Sequence, residues 1–277
     1  MKELKNKIEQ LYSTESDVSD FDIAPIKHEL VTNLNTGKIR AAEPFNGIWK
    51  VNEWVKKGIL LLFRYGKLSN MSHEGIFSFF DKDTLTVHPF SLEDSVRIVP
   101  GGSSIRTGSY IAKGVICMPP MYINIGAYID EDTMIDSHAL VGTCAQIGKR
   151  VHLSAASQIG GVLEPPGARP VIVEDDVMIG GNCGVYEGVL LRKRAVLGSG
   201  VILNSSTKVY DIINEKILKA DKDNPLEIPE SAVVIPGSRQ IDTKFGKANG
   251  LSVSTAIIVK YRDEKTDART ALEQALR

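Results

Sequence analysis

The segment from Met134 to Gly148, MIDSHALVGTCAQIG, places a carboxylate and a histidine among small and aliphatic residues. Either Asp136 or His138 could take a proton from an attacking amine, which is the role of a general base. Asp136 also suits a tight turn, because its side chain can bond to nearby backbone N–H groups, and a single outward histidine also suits a solvated surface. The residue types leave both interpretations open, so the surrounding elements have to decide between them.

A six-residue repeat surrounds these two residues. Stepping by six along the chain reaches an aliphatic residue almost every time, with a cysteine once. The repeated positions are Ile105, Ile111, Cys117, Ile123, Ile129, Ile135, Val141, Ile147, Leu153 and Ile159, then Val173, Ile179, Val185, Leu191, Leu197, Leu203 and Val209. The residue two places earlier is usually small or β-branched, which gives a second inward row. This period is typical of a β-helix, in which short strands and turns stack as coils around a packed interior.

The repeat predicts where the polar side chains lie. Asp136 directly follows the inward Ile135 and should occupy a corner of a coil, as should Arg106 in its own coil. His138 should face outward. Glycine often follows the aliphatic residue, as at Gly142, where a tight turn would favour a residue without Cβ. Because aliphatic rows fill the interior, any ligand has to bind outside the coils.

Two segments interrupt the repeat. The sequence GGVLEPPGARP breaks the count by eight residues, and we expect this Pro- and Gly-rich loop, at residues 160–172, to project from the coils. The sequence DIINEKILKADKDNPLE leaves after Val209, and we expect Ile228 and Val234 to return the chain to the repeat.

Helical spacing dominates the first part of the chain. Leu4, Ile8 and Leu11 predict one helix, and the apolar residues from Ile23 to Leu34 predict a second that ends near Gly37. A third, amphipathic helix is predicted from Asn46 in NGIWKVNEWVKKGILLLFR. Short strands are expected at 77–80 and 85–87.

The expected organisation is a helical and mixed N-terminal domain at residues 1–98, a β-helix at 99–240, and a C-terminal part at 241–277. The C-terminal part should contain a strand in LSVSTAIIVKYRD and then a helix in TDARTALEQALR. The fold class is therefore mainly β, with a parallel β-helix as its largest part.

Composition narrows the function classes. The 33 basic and 34 acidic residues nearly cancel, which argues against a nucleic-acid or polybasic membrane binder and favours small-molecule partners. No apolar run predicts a signal peptide or a membrane span, so a cytoplasmic location is expected. Three cysteines without a CxxC pair predict reduced, buried thiols. Only two histidines lie within the repeat, so no metal site is expected.

Long motifs add a resemblance to these observations. EPFNGIWKVNEWVKKGILLLFR, VRIVP, the run from IRTGSY to GKRVHLS, IGGVLEP and AIIVK are similar to motifs of the tetrahydrodipicolinate N-succinyltransferases. That resemblance implies a left-handed coil, a homotrimer with active sites between subunits, and transfer of a succinyl group from succinyl-CoA to an amine. Succinyl-CoA would be a co-substrate, with no permanently bound cofactor and no metal.

The resemblance also implies roles for individual residues. Asp136 matches a catalytically important aspartate, and Arg97 matches an arginine that binds a substrate carboxylate. Arg106 is a further carboxylate-binding candidate, because a planar guanidinium pairs with a carboxylate bidentately. The pantetheine arm of CoA is expected along Gly160 and Gly161. Ser199 and Gly200 are expected to be further neighbours of CoA.

One departure from the family pattern leaves the second acid or base open. Where many relatives read SEVVEG, this chain reads CGVYEG, so Gly184 stands in place of a glutamate. Glu187 is then the predicted second catalytic residue, with Glu164 as an alternative. Two other interpretations are that this branch needs no second carboxylate and that its activity differs. His138 is disfavoured, because many relatives carry a nonpolar aromatic residue there. An acetyl-CoA-dependent acetyltransferase, a nucleotide-sugar acyltransferase using His138, and a noncatalytic scaffold are the competing hypotheses.

Overall fold

The six-residue repeat folds into stacked parallel coils. The computed structural model describes residues 1–14, 23–72, 77–221 and 224–263. Met134 pairs with Ile116 before it and with His152 after it, so each coil takes eighteen residues and has three strands. From Ser104–Ile105 to Glu227–Ile228 the strands of the coils are two residues long, and the second residue of each points inward and is buried, whereas Ile98 on the first strand is exposed. The predicted β-helix is therefore confirmed.

Three faces make up the coils. The first face contains Arg97–Ile98, Ile116–Cys117, Met134–Ile135, His152–Leu153, Met178–Ile179, Val196–Leu197 and the start of Ala232–Gln240. The second contains Ser104–Ile105, Tyr122–Ile123, Leu140–Val141, Gln158–Ile159, Gly184–Val185 and Ile202–Leu203. The third contains Tyr110–Ile111, Tyr128–Ile129, Gln146–Ile147, Ile172–Val173, Leu190–Leu191 and Glu227–Ile228.

The turns between faces form three corners. Corner A joins the first face to the second and comprises 99–103, 118–121, 136–139, 154–157, 180–183 and 198–201. Corner B joins the second face to the third and comprises 106–109, 124–127, 142–145, 160–171, 186–189 and, among the described residues, 204–221 and 224–226. Corner C joins the third face to the first and comprises 112–115, 130–133, 148–151, 174–177, 192–195 and 229–231. Both interruptions of the repeat therefore lie in corner B.

The interior is packed by the two rows that the sequence predicts. Ile135, Val141 and Ile147 of one coil are fully buried, as are the small residues Thr133 and Ala145. Each fully buried aliphatic side chain contributes roughly 1.5–3 kcal/mol relative to an exposed one. Cys117, Cys144 and Cys183 are free and buried, as predicted. Burial raises the pKa of Cys144 to about 12, so this thiol stays protonated at neutral pH.

The N-terminal helices pack against corner B. The helices are Lys2–Ser13, Ala24–Asn35 and Glu53–Tyr65, and their apolar faces share one core with Ile125 and Cys144 of the coils. The first two predicted helices are confirmed.

The third predicted helix is wrong at its start. Ile48–Val51 is a strand paired with Ala42–Phe45, and the helix begins at Glu53. The two turn residues, Asn46 and Gly47, both have positive φ, which is the geometry that an Asn-Gly hairpin turn requires. The Ile48 side chain is exposed rather than packed on a helical stripe.

The other N-terminal strands also differ from the expectation. Phe80–Lys82 pairs with Leu68–Asn70, whereas Phe77 and Phe79 are exposed and outside this hairpin. Val87 forms only an isolated bridge to Arg106. A short 3-10 helix follows at Leu92–Asp94.

At the last coils, added strands extend the sheet of the first face. Ala232–Gln240 pairs antiparallel with Ser252–Tyr261, which pairs with Val209–Asp211, and the last strand is Lys216–Leu218. Val209 is thus buried but lies outside the repeat, contrary to the six-residue count. Ile228 and Val234 return the chain to the coils as predicted, beside Leu191 and Leu197.

The C-terminal part contains the expected strand and one further element. The strand is Ser252–Tyr261, and a short helix at Lys244–Ala248 precedes it. The helix predicted in TDARTALEQALR lies outside the described residues.

Candidate active site

A cavity of about 1020 Å³ opens along corner B. Much of its lining comes from the hairpin at Ile48 and Trp49, the projecting loop from Gly160 to Arg169, and the corner at Tyr186 and Glu187. Other lining residues are Arg192, Ser205, Ala220, Asp221, Asn224, Pro225 and Glu227. Its lining mixes aromatic, small and charged side chains, so it offers both apolar surface and polar groups to a ligand.

Two cations hold the projecting loop in place. Lys56, on the third helix, is completely buried, and its Nζ donates hydrogen bonds to the carbonyl oxygens of Ala168 at 2.8 Å and Pro165 at 3.2 Å. Burial lowers the pKa of Lys56. Arg169 donates to the Gly188 carbonyl at 2.9 Å and to Glu227 Oε1 at 2.7 Å. The loop is therefore tied both to the N-terminal domain and to the second interruption.

A chain of charged groups continues from Arg169 across the cavity wall. Glu227 also accepts from Arg192, whose other nitrogen donates to Glu174 at 3.1 Å. Glu174 accepts from the indole N–H of Trp49 at 2.9 Å. Burial alone would raise the pKa of Glu227, but the hydrogen bonds from Arg169 and Arg192 hold it below its ordinary value. Trp49 and Glu174 also line a second cavity of about 770 Å³ on the other side of this wall.

The glycines at the start of the loop sit under close backbone contacts. A Cβ on Gly142 would lie 2.2 Å from the Gly161 nitrogen, and one on Gly161 would lie 2.7 Å from the Thr143 nitrogen. Gly142 does not have a positive φ. The predicted reason for glycine here, a turn conformation, is therefore wrong. The neighbouring coil comes too close for a side chain.

The Tyr186 ring lies over two glycines at the cavity wall. A Cβ on Gly184 would meet ring atom Cε2 at 2.4 Å, and a Cβ on Gly160 would meet Cδ1 at 2.7 Å. Gly184 and Gly160 are both buried. The space outside position 184 is thus filled by a phenol rather than by a side chain of residue 184.

Glu187 is held by a neighbouring serine. Its Oε2 accepts hydrogen bonds from the Ser205 hydroxyl and from the Ser205 N–H, the latter at 3.0 Å. These bonds hold the pKa of Glu187 below its ordinary value, the hydroxyl having the larger effect. A carboxylate stabilised in this way stays ionised at neutral pH but is a weaker base than a free one.

Asp136 and His138 lie on corner A. Asp136 is half-buried at the corner position that the repeat predicts, and its Oδ1 accepts from the Ser137 N–H at 2.7 Å. This bond confirms that the aspartate has a turn role, and it leaves Oδ2 available for other contacts. His138 is exposed and has a φ of 62°. Ser199 and Gly200 are also exposed on corner A, three coils further along.

The two predicted arginines differ in their surroundings. Arg97 is exposed on the first strand of the first face, and within the described ranges its side chain forms no hydrogen bond or ion pair. Arg106 lies on corner B of the first coil, where it forms an ion pair with Asp81 and donates to Asn124 at 3.3 Å. Its guanidinium is therefore partly neutralised by the chain itself.

Comparison with known proteins identifies the family. The model of the tetrahydrodipicolinate N-succinyltransferase N-terminal domain matches residues 3–65, and the hexapeptide repeat of succinyl-transferases matches residues 170–205. A 2,3,4,5-tetrahydropyridine-2,6-dicarboxylate N-succinyltransferase from Acinetobacter baylyi is 41% identical over 100% of this chain and 99% of its own length. The chain belongs to the tetrahydrodipicolinate N-succinyltransferase family. A second relative of the same name, from Polynucleobacter asymbioticus, is 41% identical over 98% of this chain and 97% of its own.

Within this succinyltransferase chain the predicted residues fall into two groups. Gly160, Gly161 and Glu187 meet at the corner B cavity, whereas Asp136 and the Ser199–Gly200 pair lie on corner A. Coils are spaced by ~4.8 Å, so Asp136 and Ser199 are about 14 Å apart along the stack. Arg106 is separated from Gly160 by the same three coils. One subunit does not bring these groups together at a single point.

Sequence reasoning missed several residues of the cavity wall. Lys56, Trp49, Tyr186 and Arg169 line or support the cavity, yet none was singled out from the sequence. Tyr186 could have been found, because it stands beside the unusual Gly184. Lys56 and Trp49 act across more than 100 residues of sequence, and no local pattern identifies such contacts.

The described residues contain neither a metal-binding cluster nor a membrane-spanning helix. Within the described part of the chain, no group of three or more His, Cys, Asp or Glu side chains is arranged to hold a metal ion. In the same residues no helix is both long and apolar enough to cross a lipid bilayer.

Proposed function

We propose that this protein transfers a succinyl group from succinyl-CoA to the amine of tetrahydrodipicolinate in its ring-opened form, a step of lysine and diaminopimelate biosynthesis. The observation that carries the proposal is the 41% identity, over the whole chain, to relatives named as N-succinyltransferases of this acceptor. Succinyl-CoA is a co-substrate, and the products are the N-succinyl amine and free CoA. The proposed setting is the cytoplasm, in keeping with three free thiols.

The reaction makes clear demands on the site. The unprotonated amine attacks the thioester carbon, a C–N bond forms, and the carbonyl electrons move to oxygen. Collapse of this oxyanion breaks the C–S bond and releases CoA as a thiolate, while a base removes a proton from the nitrogen. The site must therefore supply a base, donors for the oxyanion, and cations for the substrate carboxylates.

The proposed active protein is a homotrimer with sites between subunits. Its support is the division of the predicted residues between corners A and B of one subunit. Corner A of one subunit, with Asp136, would face the corner B cavity of its neighbour. Closed rings of this kind use two different surfaces of each subunit at every interface. Phe79, Phe80 and Leu92 are exposed large apolar side chains, and contact with a second copy would bury apolar surface of this kind.

The proposed roles follow the chemistry. Asp136 takes the proton of the amine, and Arg97 pairs with a substrate carboxylate through its free guanidinium. Arg106 would be a second carboxylate ligand only where the carboxylate displaces Asp81. Glu187, ionised and bonded to Ser205, suits the role of an electrostatic or orienting group better than that of the main base. Gly161, Ser199 and Gly200 give the pantetheine arm a surface without large side chains, and Gly160 begins the same loop beneath the Tyr186 ring.

The test is CoA release by the purified protein, followed with a thiol reagent and tetrahydrodipicolinate as acceptor. Succinyl-CoA and acetyl-CoA are compared side by side at equal concentrations. We expect turnover with succinyl-CoA to exceed turnover with acetyl-CoA by at least tenfold. A preference for acetyl-CoA would make the protein an acetyltransferase of the same acceptor, and no release with either donor would refute acyl transfer to this acceptor.

A further inference from the structure

The Tyr186 side chain combines a fixed ring with an uncommitted hydroxyl. The ring lies against positions 160 and 184, at distances that leave no room for a Cβ on either residue. Its hydroxyl would lie 2.8 Å from a Cβ on Gly184, so it occupies the outward space of that strand position. Among the described residues the hydroxyl has no hydrogen-bond partner. A phenol at a cavity wall, with its ring held and its O–H free, is prepared to donate to a ligand.

The neighbouring polar groups do not compete for this hydroxyl. The Glu187 carboxylate, next in sequence, is bound by Ser205. Arg169 and Arg192 are bound to Glu227 and Glu174. Arg169, Arg192, Glu174 and Glu227 are therefore paired with one another, and Glu187 is held by Ser205. Tyr186 supplies a neutral donor on the same cavity wall.

The proposed reaction needs a donor of this kind. The thioester carbonyl oxygen gains negative charge when the amine attacks, and a preorganised hydrogen bond to that oxygen lowers the barrier. A phenol gives this stabilisation without a net charge, so it does not repel the acceptor amine. It also keeps its own proton throughout, because the oxyanion collapses to expel the thiolate.

We propose that the Tyr186 hydroxyl donates a hydrogen bond to the thioester oxygen of the acyl donor, and that Gly160 and Gly184 are glycine because the ring occupies the space of their side chains. This inference rests on the proposed acyl transfer. According to this proposal, the ring of Tyr186 on corner B fills the space that a side chain at position 184 would otherwise occupy.

The first experiment is Tyr186→Phe, which keeps the ring and removes only the hydroxyl. We expect kcat with succinyl-CoA to fall by about 10- to 100-fold, with KM changed by less than about threefold, because the lost bond forms fully only in the transition state. Tyr210→Phe, at a tyrosine outside the cavity, is the matched control and should keep wild-type kcat. If kcat of Tyr186→Phe stays within twofold of wild type, the hydroxyl has no such role.

The same assay separates the two proposals. Absence of CoA release by the wild-type protein refutes the proposed function and the role of Tyr186 with it. Normal release by both the wild type and Tyr186→Phe leaves the function in place and overturns the tyrosine assignment alone.

A second experiment tests the ring contacts with a double-mutant cycle. Gly184→Ala alone should lower the melting temperature by several degrees, because its Cβ meets the ring at 2.4 Å. In a Tyr186→Val background the same change should lower it by less than about one degree, since the obstacle is gone. Equal shifts in both backgrounds would show that the ring does not dictate glycine at 184.

Discussion

Corners A and B follow the same six-residue repeat but differ in what the chain adds to them. Corner B is covered by the N-terminal helices through Ile125 and Cys144, and both long interruptions leave from it. Corner A has short turns throughout, and His138, Ser199 and Gly200 are exposed there. The pairing of Ile147 with Val173, and of Leu191 with Ile228, shows that each interruption of corner B returns to the same register.

This difference teaches how a repeat acquires a site. Because the interior rows require every strand to return to its place, inserted segments can only lie outside the coils. In this protein both long insertions lie at corner B. The inserted segments therefore enclose a cavity at corner B. Corner A has no long insertion and presents single side chains such as Asp136 on the rigid coil. We infer that the two corners are complementary halves, one supplying the binding cavity and the other the base.

The largest expected effect is a loss of turnover on changing Asp136 of corner A. Asp136→Asn should lower kcat by ~100-fold or more, because the amide cannot accept the proton of the amine. The asparagine can still accept the 2.7 Å bond from the Ser137 N–H, so the fold should be unchanged. Steady-state rates and a melting curve of the purified variant measure both quantities.

Asp130 is a matched control for this change. It occupies the equivalent corner position on corner C, and its Oδ1 accepts from the Glu131 N–H at 2.9 Å. Asp130→Asn should therefore keep kcat within about twofold of wild type. Equal losses in both variants would mean that the corner aspartates serve the coil and not the chemistry.

The second prediction concerns the pairing of corners between subunits. Asp136→Asn and Tyr186→Phe chains, each impaired alone, are produced together with different tags, and trimers carrying both tags are isolated. In any such ring one interface joins an intact corner A to an intact corner B, so about one third of the wild-type sites should be active. Activity no higher than the average of the two single variants would place both residues in one subunit's site.

The third prediction compares two glycines on the two corners. Gly142→Ala, on corner B, puts a Cβ 2.2 Å from the Gly161 nitrogen, so the backbone that starts the projecting loop has to move. We expect a loss of about 1–3 kcal/mol in the free energy of unfolding and a severalfold higher KM for succinyl-CoA. Denaturant titration and initial rates measure these effects.

Gly181→Ala is the corresponding change on corner A. Its Cβ would meet only the Ala155 carbonyl oxygen, at 3.2 Å, and we expect a loss of about 1 kcal/mol or less with unchanged KM. A KM for Gly142→Ala equal to that of Gly181→Ala would show that the loop position does not depend on this close contact.

The repeat could be predicted from the sequence because one spacing determines both rows of the interior. Ile135 and Val141 were identified by spacing alone, and so was the corner position of Asp136. Val209 satisfied the same count but lies on an outer strand that extends the first-face sheet, since the count cannot tell whether a strand pairs with the coil or with Ser252–Tyr261. Ile48 was assigned to a helix because its apolar spacing continued through an Asn-Gly turn, which has the stronger local preference.

The site was less predictable, because its contacts are long-range. Lys56 and the loop that it holds are separated by more than 100 residues, and burial of an ammonium among carbonyl groups has no sequence pattern. The bond from Ser205 to Glu187 joins two adjacent coils at the start of the second interruption. Asp136 could be placed on the coil, but only the family resemblance gave it a chemical role.

The smallest expected effect is electrostatic and lies in the wall of corner B. Glu227 has a lowered pKa in the folded protein, so it favours the folded state above its ordinary pKa of about 4.5, and this contribution is lost as the pH falls from there through the lowered value. Its side chain is 38% exposed, so solvent screening limits the contribution to about 1 kcal/mol or less. Glu227→Gln should therefore be slightly less stable than wild type at pH 7, and the difference should shrink below pH 4.

Glu227→Gln should also raise the KM for succinyl-CoA. Glu3→Gln, which removes an exposed ion pair with Lys7 on the first helix, is the control and should leave this KM unchanged. An unchanged KM in Glu227→Gln would show that the cavity wall keeps its shape without this carboxylate, and that the Lys56 contacts and the Arg169 bond to the Gly188 carbonyl are enough to hold the loop.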